Sequence, residues 1–270
     1  MKAKIKISKK SVLLTVLALA FVAVLAIGGS IAYFTDYDEA VNTFTMGKVK
    51  INLTEPGWHE DDGKGLLPGS VRTKDPTVTA VEGQSYMRVR MDIVDGNGNY
   101  ITNAQQRDLI LKTLFYDKAY GAATPNLAAG QRYTVADLAT LASQNKINAE
   151  YNKTNFAFAG ILTGNPSVRY YNYIGIFDAT KTPPDTAVLF SNIVIPKDWN
   201  NEEIFILDGD QYTVSPSGAV EVTVKGTGYK LRLKAEAIQS ADMANANEAY
   251  LALDEATGVT RDMTGVPTTP

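Results

Sequence analysis

Tyr86-Met87-Arg88-Val89-Arg90-Met91-Asp92-Ile93 alternates apolar and polar residues without a break. A strand sends successive side chains to opposite faces, so Met87, Val89, Met91 and Ile93 share one face. That face reads as buried, and Arg88, Arg90 and Asp92 read as directed into solvent. The same period recurs downstream. Val220, Val222 and Val224 alternate with Glu221, Thr223 and Lys225; Tyr229, Leu231, Leu233, Ala235 and Ala237 alternate with Lys230, Arg232, Lys234 and Glu236. Gly226-Thr227-Gly228 between those two runs predicts a hairpin. Further strands are predicted over 77–81, 155–161, 168–177, 188–195 and 203–207. One-faced alternation repeated in this way predicts a mainly β fold, a jelly-roll-like antiparallel β-sandwich.

Two short helices are predicted as insertions in that sandwich. Thr102 or Asn103 can cap a segment running through Phe115, with Leu109, Ile110, Leu114 and Phe115 on its apolar side. Thr134-Val135-Ala136-Asp137 has the form of a capping box with Asp in place of Glu, followed by Leu138 and Leu141. The small and polar stretch 121–131 reads as a loop. No long linker or repeat divides the chain, so residues 47–270 are expected to form one domain.

Charge separates the beginning of the chain from the rest. The whole sequence has 26 basic and 29 acidic residues, and all five charges before residue 33 are lysines (Lys2, Lys4, Lys6, Lys9 and Lys10). Those lysines precede an apolar run from Val12 to Ile27, broken only by Thr15; Gly28-Gly29 and Ser30-Ile31-Ala32 follow. Basic head, apolar stretch and small-x-Ala site are the parts of an export signal over residues 1–32, cleaved between Ala32 and Tyr33. An uncleaved membrane anchor is the alternative reading of the same run. The remainder carries 21 basic against 29 acidic residues, a net of −8 that argues against nucleic-acid binding.

Just beyond the cleavage site the alternation changes parity. Phe44 and Met46 occupy even positions, whereas Val49, Ile51 and Leu53 occupy odd ones, and Gly47 stands at the change. An uninterrupted strand would place the two sets on opposite faces, so the glycine marks a bulge or a break. The reading that follows is a detachable leading segment over 33–46, a hinge at Gly47 and a fixed first strand over 48–53. One ordinary bent strand is the alternative.

The export signal with Tyr33-Phe34-Thr35-Asp36, then Asn42-Thr43-Phe44-Thr45-Met46-Gly47-Lys48-Val49-Lys50-Ile51, resembles the TasA/camelysin group of secreted bacterial matrix proteins. Leu67-Pro68-Gly69, Lys74-Asp75-Pro76-Thr77-Val78, Tyr86-Met87-Arg88-Val89, Phe190, Ile195-Pro196 and Ala235-Glu236-Ala237-Ile238-Gln239 extend the resemblance in order along the chain. Residues 100–165 and 208–228 fit it less regularly. The resemblance implies a SipW-type signal peptidase as the processing partner and a jelly-roll subunit of extracellular biofilm-matrix fibres, secreted or held at the bacterial surface. It implies head-to-tail homopolymerisation in which 33–46 adds as a strand to the next copy, with Phe34 and Phe44 as the main pocket-filling residues and Tyr33, Val41 and Met46 as secondary ones. An accessory matrix or anchor protein is a further possible partner. A monomeric surface-binding or adhesion module on the same fold is the alternative function.

Catalytic and metal chemistry is largely excluded by composition. There is no cysteine, and His59 is the single histidine. A zincin helix needs two histidines one turn apart, so the metalloprotease activity described for camelysin-like proteins has no counterpart in His59-Glu60-Asp61-Asp62. Asp95-Gly96-Asn97-Gly98-Asn99 spaces oxygen ligands as calcium loops do, but Tyr100 stands where an EF-hand requires glycine and Gln106 where it requires glutamate. It reads as a turn. Fourteen tyrosines, Tyr170, Tyr171 and Tyr173 among them, read first as strand residues and second as an adhesive surface. Neither an enzyme activity, nor a cofactor, nor a metal site is expected.

Overall fold

A computed structural model of the protein describes residues 41–43, 49–59, 63, 66–215, 220–241 and 243–263. Two main β layers, a separate two-stranded sheet and four helices make up the described chain. The first layer orders six strands β1 (Val41–Thr43), β15 (Tyr229–Gln239), β5 (Gln84–Asp95), β9 (Asn165–Tyr173), β8 (Phe156–Leu162) and β16 (Arg261–Asp262), with β10 (Phe177–Asp178) also paired to β5. All of these pairs are antiparallel except β1 with β15.

The second layer consists of two small antiparallel sheets. One orders β11 (Thr186–Val188), β4 (Thr77–Glu82) and β2 (Lys50–Thr54); the other orders β3 (Val71–Thr73), β12 (Asn192–Val194), β6 (Leu114–Asp117) and β7 (Ile147–Ala149). They run on into each other. Only Lys74-Asp75-Pro76 separates β3 from β4, and across that gap Leu189 N donates to the Pro76 carbonyl at 2.9 Å and Lys74 N to the Ser191 carbonyl at 3.0 Å. Pro76 has no N–H to offer a ladder, which accounts for the interruption at this point.

Both layers close on one core. Ile51, Val78, Ala80, Leu114 and Ile193 come from the second layer, and Met87, Val89, Met91, Ile93, Phe156, Tyr171, Ala235 and Ala237 from the first. Chain direction carries β4 directly into β5, through Gly83 alone, at φ +73°. A side chain would strain that backbone, so glycine lets one continuous segment change sheets within a single residue. A smaller cluster of Val71, Phe115, Leu127, Tyr133, Leu138, Ile147 and Val194 lies under α2 (Val135–Ser143). That helix starts as expected: Asp137 N donates to Thr134 Oγ1 at 3.0 Å, and Thr134 N to Asp137 Oδ2 at 2.8 Å.

Several local expectations are corrected. The segment 203–207 is helical: α3 (Asn201–Asp208) begins at Asn200, whose side chain accepts from Glu202 N and Glu203 N while the Glu203 carboxylate accepts from Asn200 N. Asn-x-x-Glu is a capping box that outweighs the β-prone Ile-Phe-Ile, and Gly209 in the left-handed region ends the helix. The expected hairpin across 226–228 does not form. β14 (Val220–Val224) pairs with β13 (Gln211–Val214), whereas β15 pairs with β5 along its whole length. Gly226 is seated against the end of α3, where a Cβ would stand 2.1 Å from the Asp208 carbonyl oxygen. Its N–H donates to Asp210 Oδ1 at 2.6 Å, and Gly228 N donates to the Asp208 carbonyl at 3.0 Å. These bonds pull the link away from a tight turn.

Helix α1 (Ala104–Lys112), capped by Asn103, stops before Leu114 and Phe115, which pair on β6 with β12 and β7. The stretches 168–177 and 188–195 are each two strands rather than one, β9 with β10 and the end of β11 with β12. Between Asp95 and Tyr100 the chain makes the turn expected, with Asp95 Oδ1 accepting from Asn97 N at 2.9 Å and Asn99 N at 2.8 Å. The Asn99 amide, first among these donors, holds the Asp95 carboxyl below its ordinary value of 3.8. Such a group contributes stability above its unfolded pKa and loses it as pH falls through the lower, folded one. The Asn97 and Asn99 amide resonances should therefore titrate together with a midpoint below pH 3.8. A midpoint at or above the ordinary value in an NMR titration would show that the turn does not hold the carboxylate.

Candidate assembly edge

Strand β15 has eleven residues, and β1 pairs with three of them: Val41 with Ala235, Asn42 with Glu236 and Thr43 with Ala237. Eight of the eleven thus have no strand partner on that side among the described residues. The longer unpaired part, Tyr229–Lys234, is not an apolar ribbon. Tyr229, Leu231 and Leu233 turn toward the core and are half-buried, while Lys230 and Arg232 on the other face are exposed. Lys230 Nζ donates to the Gly96 carbonyl at 2.9 Å, and Arg232 lies 3.7 Å from Asp92. Lysine and arginine along an edge protect it against indiscriminate pairing.

The occupied part of the edge rests on a buried charge cluster. Glu236, which pairs with Asn42 through its backbone, is 1% exposed and accepts from Arg88 Nε at 2.7 Å. Arg88 also donates to Asp254 Oδ1 at 2.5 Å and Thr257 Oγ1 at 3.1 Å, both on α4 (Ala246–Thr257). Its guanidinium lies 4.9 Å from the Tyr170 ring centroid. Arg261 holds Asp254 from the other side at 2.8 and 3.0 Å, and donates to the Ala159 carbonyl at 2.6 Å. Burial by itself lowers the Arg88 pKa, but the Glu236 and Asp254 carboxylates outweigh it and hold the group above its ordinary value. Tyr250 adds bonds to the Met87 carbonyl at 3.1 Å and the Tyr173 carbonyl at 2.8 Å, so α4 is fastened across β5 and β9.

The expectation that Arg88 points into solvent is thereby corrected. Arg88 lies on the face opposite Met87 and Val89, as the alternation requires, but α4 covers that face and leaves Arg88 0% exposed. Arg90 and Asp92 remain near the surface, paired at 2.7 Å. No sequence signal points to this cluster, because Arg88 is 148 residues from Glu236 and 166 from Asp254, separations at which charge spacing carries no information.

Of the residues expected to act in assembly, Val41 lies on β1. Ala32, Tyr33, Phe34, Phe44, Met46 and Gly47 lie outside the described residues. His59 is exposed in the loop after β2, and no group of three metal-ligating side chains occurs among the described residues. Tyr170 and Tyr171 are fully buried, which removes them from any adhesive surface; Tyr171 Oη donates to Glu150 Oε1 at 2.6 Å. Tyr173 is half-buried and packs edge-on against Phe156 and Phe177. No helix among the described residues is long and apolar enough to cross a membrane. Comparison with protein-family models and with curated proteins finds no match to this chain.

Proposed function

We propose that the chain is a secreted structural subunit of a bacterial extracellular-matrix fibre, a jelly-roll-type sandwich that polymerises by donating its leading segment to the β15 edge of the next copy. One observation carries this reading: a three-residue parallel strand from the leading segment sits on an edge more than three times its length. Each main-chain hydrogen bond of such a pair contributes only about 0.5–1.5 kcal/mol net, so β1 detaches at little cost. A longer donor on the same edge would make more of these bonds. Because the donor of one copy meets the acceptor of another, the contact does not close on itself and propagates as a filament.

Taken further in the same one-to-one register, a donor would bring Asp36 opposite Lys230 and Asp38 opposite Arg232 in the acceptor copy, since Val41 pairs with Ala235. The three acids of the segment, Asp36, Asp38 and Glu39, are the feature least suited to an apolar groove. Two of them fall on the cationic face of β15. In that register Tyr37 and Val41, rather than Phe34 and Phe44, share the face of Leu231 and Ala235.

Residues 33–270 with the native N-terminus should form filaments visible by negative-stain electron microscopy. A chain starting at Gly47 should elute as a folded monomer. Folded monomers from both, across a range of pH, salt and calcium, would overturn the proposal.

A further inference from the structure

A polar cleft of about 370 Å³ opens between the start of α1 and the end of α3, lined by Asn103, Gln105, Gln106, Gly209, Gln211 and Tyr212 among others. Four of these side chains are amides. Gln106 is 7% exposed, and its Nε2 donates to the Leu207 carbonyl at 3.1 Å. Its Oε1 accepts from no described group, so this cleft-lining side chain keeps an acceptor available. Asn103 uses Oδ1 to cap α1, accepting from Gln105 N at 2.9 Å and Gln106 N at 3.1 Å, which leaves its Nδ2 as a donor. Gly209 lets the end of α3 approach so closely; a Cβ there would meet Gln106 Nε2 at 3.0 Å.

The charge balance of the cleft narrows the ligand. Asp210, the one carboxylate that lines it among the described residues, is occupied by Lys225 Nζ at 2.8 Å and by Gly226 N at 2.6 Å. Among the described residues no arginine, lysine or histidine lines the cleft to attract an anion, and one neutralised carboxylate does not make a cation site. What remains is a set of neutral donors and acceptors beside an apolar wall of Ile206 and the Tyr212 ring. That ring is held by Phe205 at a centroid distance of 5.7 Å and by a bond from Tyr212 Oη to Glu202 Oε1 at 2.9 Å. Amides offer a donor and an acceptor to neighbouring hydroxyls, and an aromatic ring packs against sugar C–H groups. The volume lies within the range of small-ligand sites. We infer that this cleft is a subsite for a neutral saccharide, through which the protein holds a polysaccharide chain. The inference stands on the cleft alone and is independent of filament formation.

Calorimetric titration of the chain with cellotetraose and with chitotetraose tests it, with tetragalacturonate as the anionic comparison. Saturable binding in the millimolar range is expected for at least one neutral oligomer, and weaker or no binding for the galacturonate. Gln105→Ala and Gln211→Ala, both at exposed positions, should each weaken binding about fivefold or more without changing the melting temperature. Failure of both neutral oligomers to saturate would overturn the assignment. So would affinities untouched by both substitutions, or a preference for the galacturonate.

Discussion

Replacing Lys230 and Arg232 together by glutamate is expected to raise the concentration needed for filament formation about tenfold or more at low salt. The effect follows from the register of β1. Continued along β15, it sets Asp36 and Asp38 of an incoming donor against these two cations. Exposed opposite-charge pairs across strands each contribute about 0.2–1 kcal/mol, and reversal turns attraction into repulsion of similar size. Two reversed pairs therefore amount to ~1–4 kcal/mol, about a decade or more in an equilibrium constant. Screening shortens the reach of exposed charges, so the defect should shrink as salt rises. Combining the two substitutions with Asp36→Lys and Asp38→Lys should restore assembly. Glu39 tests the same register from the other face. It would fall opposite the half-buried Leu233, so Glu39→Val should lower the concentration at which filaments appear. Turbidity and electron microscopy across a concentration series read all of these. If the double reversal assembles like the parent, with an unchanged melting curve, the register is wrong even if the donor itself is right.

Arg88→Met is expected to destabilise the fold more than any of the edge substitutions. Arg88 is 0% exposed and holds two carboxylates from different parts of the chain, at 2.7 and 2.5 Å. Removing it leaves Glu236 buried with Lys234, 3.2 Å away and half-exposed, as its remaining ion-pair partner. Breaking a buried pair from one side typically costs about 3–5 kcal/mol, because an uncompensated charge stays behind. For a chain of this size that corresponds to a fall of roughly 6–20 °C in melting temperature. Arg88→Lys should also be costly, since an ammonium cannot reach Glu236, Asp254 and Thr257 in the geometry of a guanidinium fork. The double change Arg88→Met with Glu236→Leu should recover much of the loss, because it removes the stranded charge together with its partner. A thermal melt in which Arg88→Met matches the parent would show that the cluster contributes nothing net. Because Glu236 also pairs with β1, these variants should be compared by melting before any assembly defect is assigned to the edge.

Local order in this protein is legible wherever neighbours in sequence decide it. Alternation locates β5 and β15 and assigns Met87, Val89, Met91 and Ile93 to the buried face, because side-chain direction in a strand depends only on residue parity. Thr134 with Asp137 marks the start of α2, and Asp95 with Asn97 and Asn99 marks a turn, because those bonds span only a few residues. The strand expected over 203–207 fails even though its correction is also local, in Asn200, Glu203 and Gly209.

Partner choice between distant segments has no such local basis. Both strands flanking Gly226 are real, yet β14 turns to β13 and β15 to β5 because the glycine is seated against α3, a contact without local signature. Arg88 belongs to the polar face by parity. Whether that face meets water depends on α4, more than 150 residues later, packing over it. Which residues alternate, where the chain turns and which chemistry it lacks are thus properties of the amino-acid order. Burial of the charge cluster, the short strand on the β15 edge and the amide-lined cleft arise only when remote segments meet, since desolvation and hydrogen-bond geometry are properties of the packed assembly.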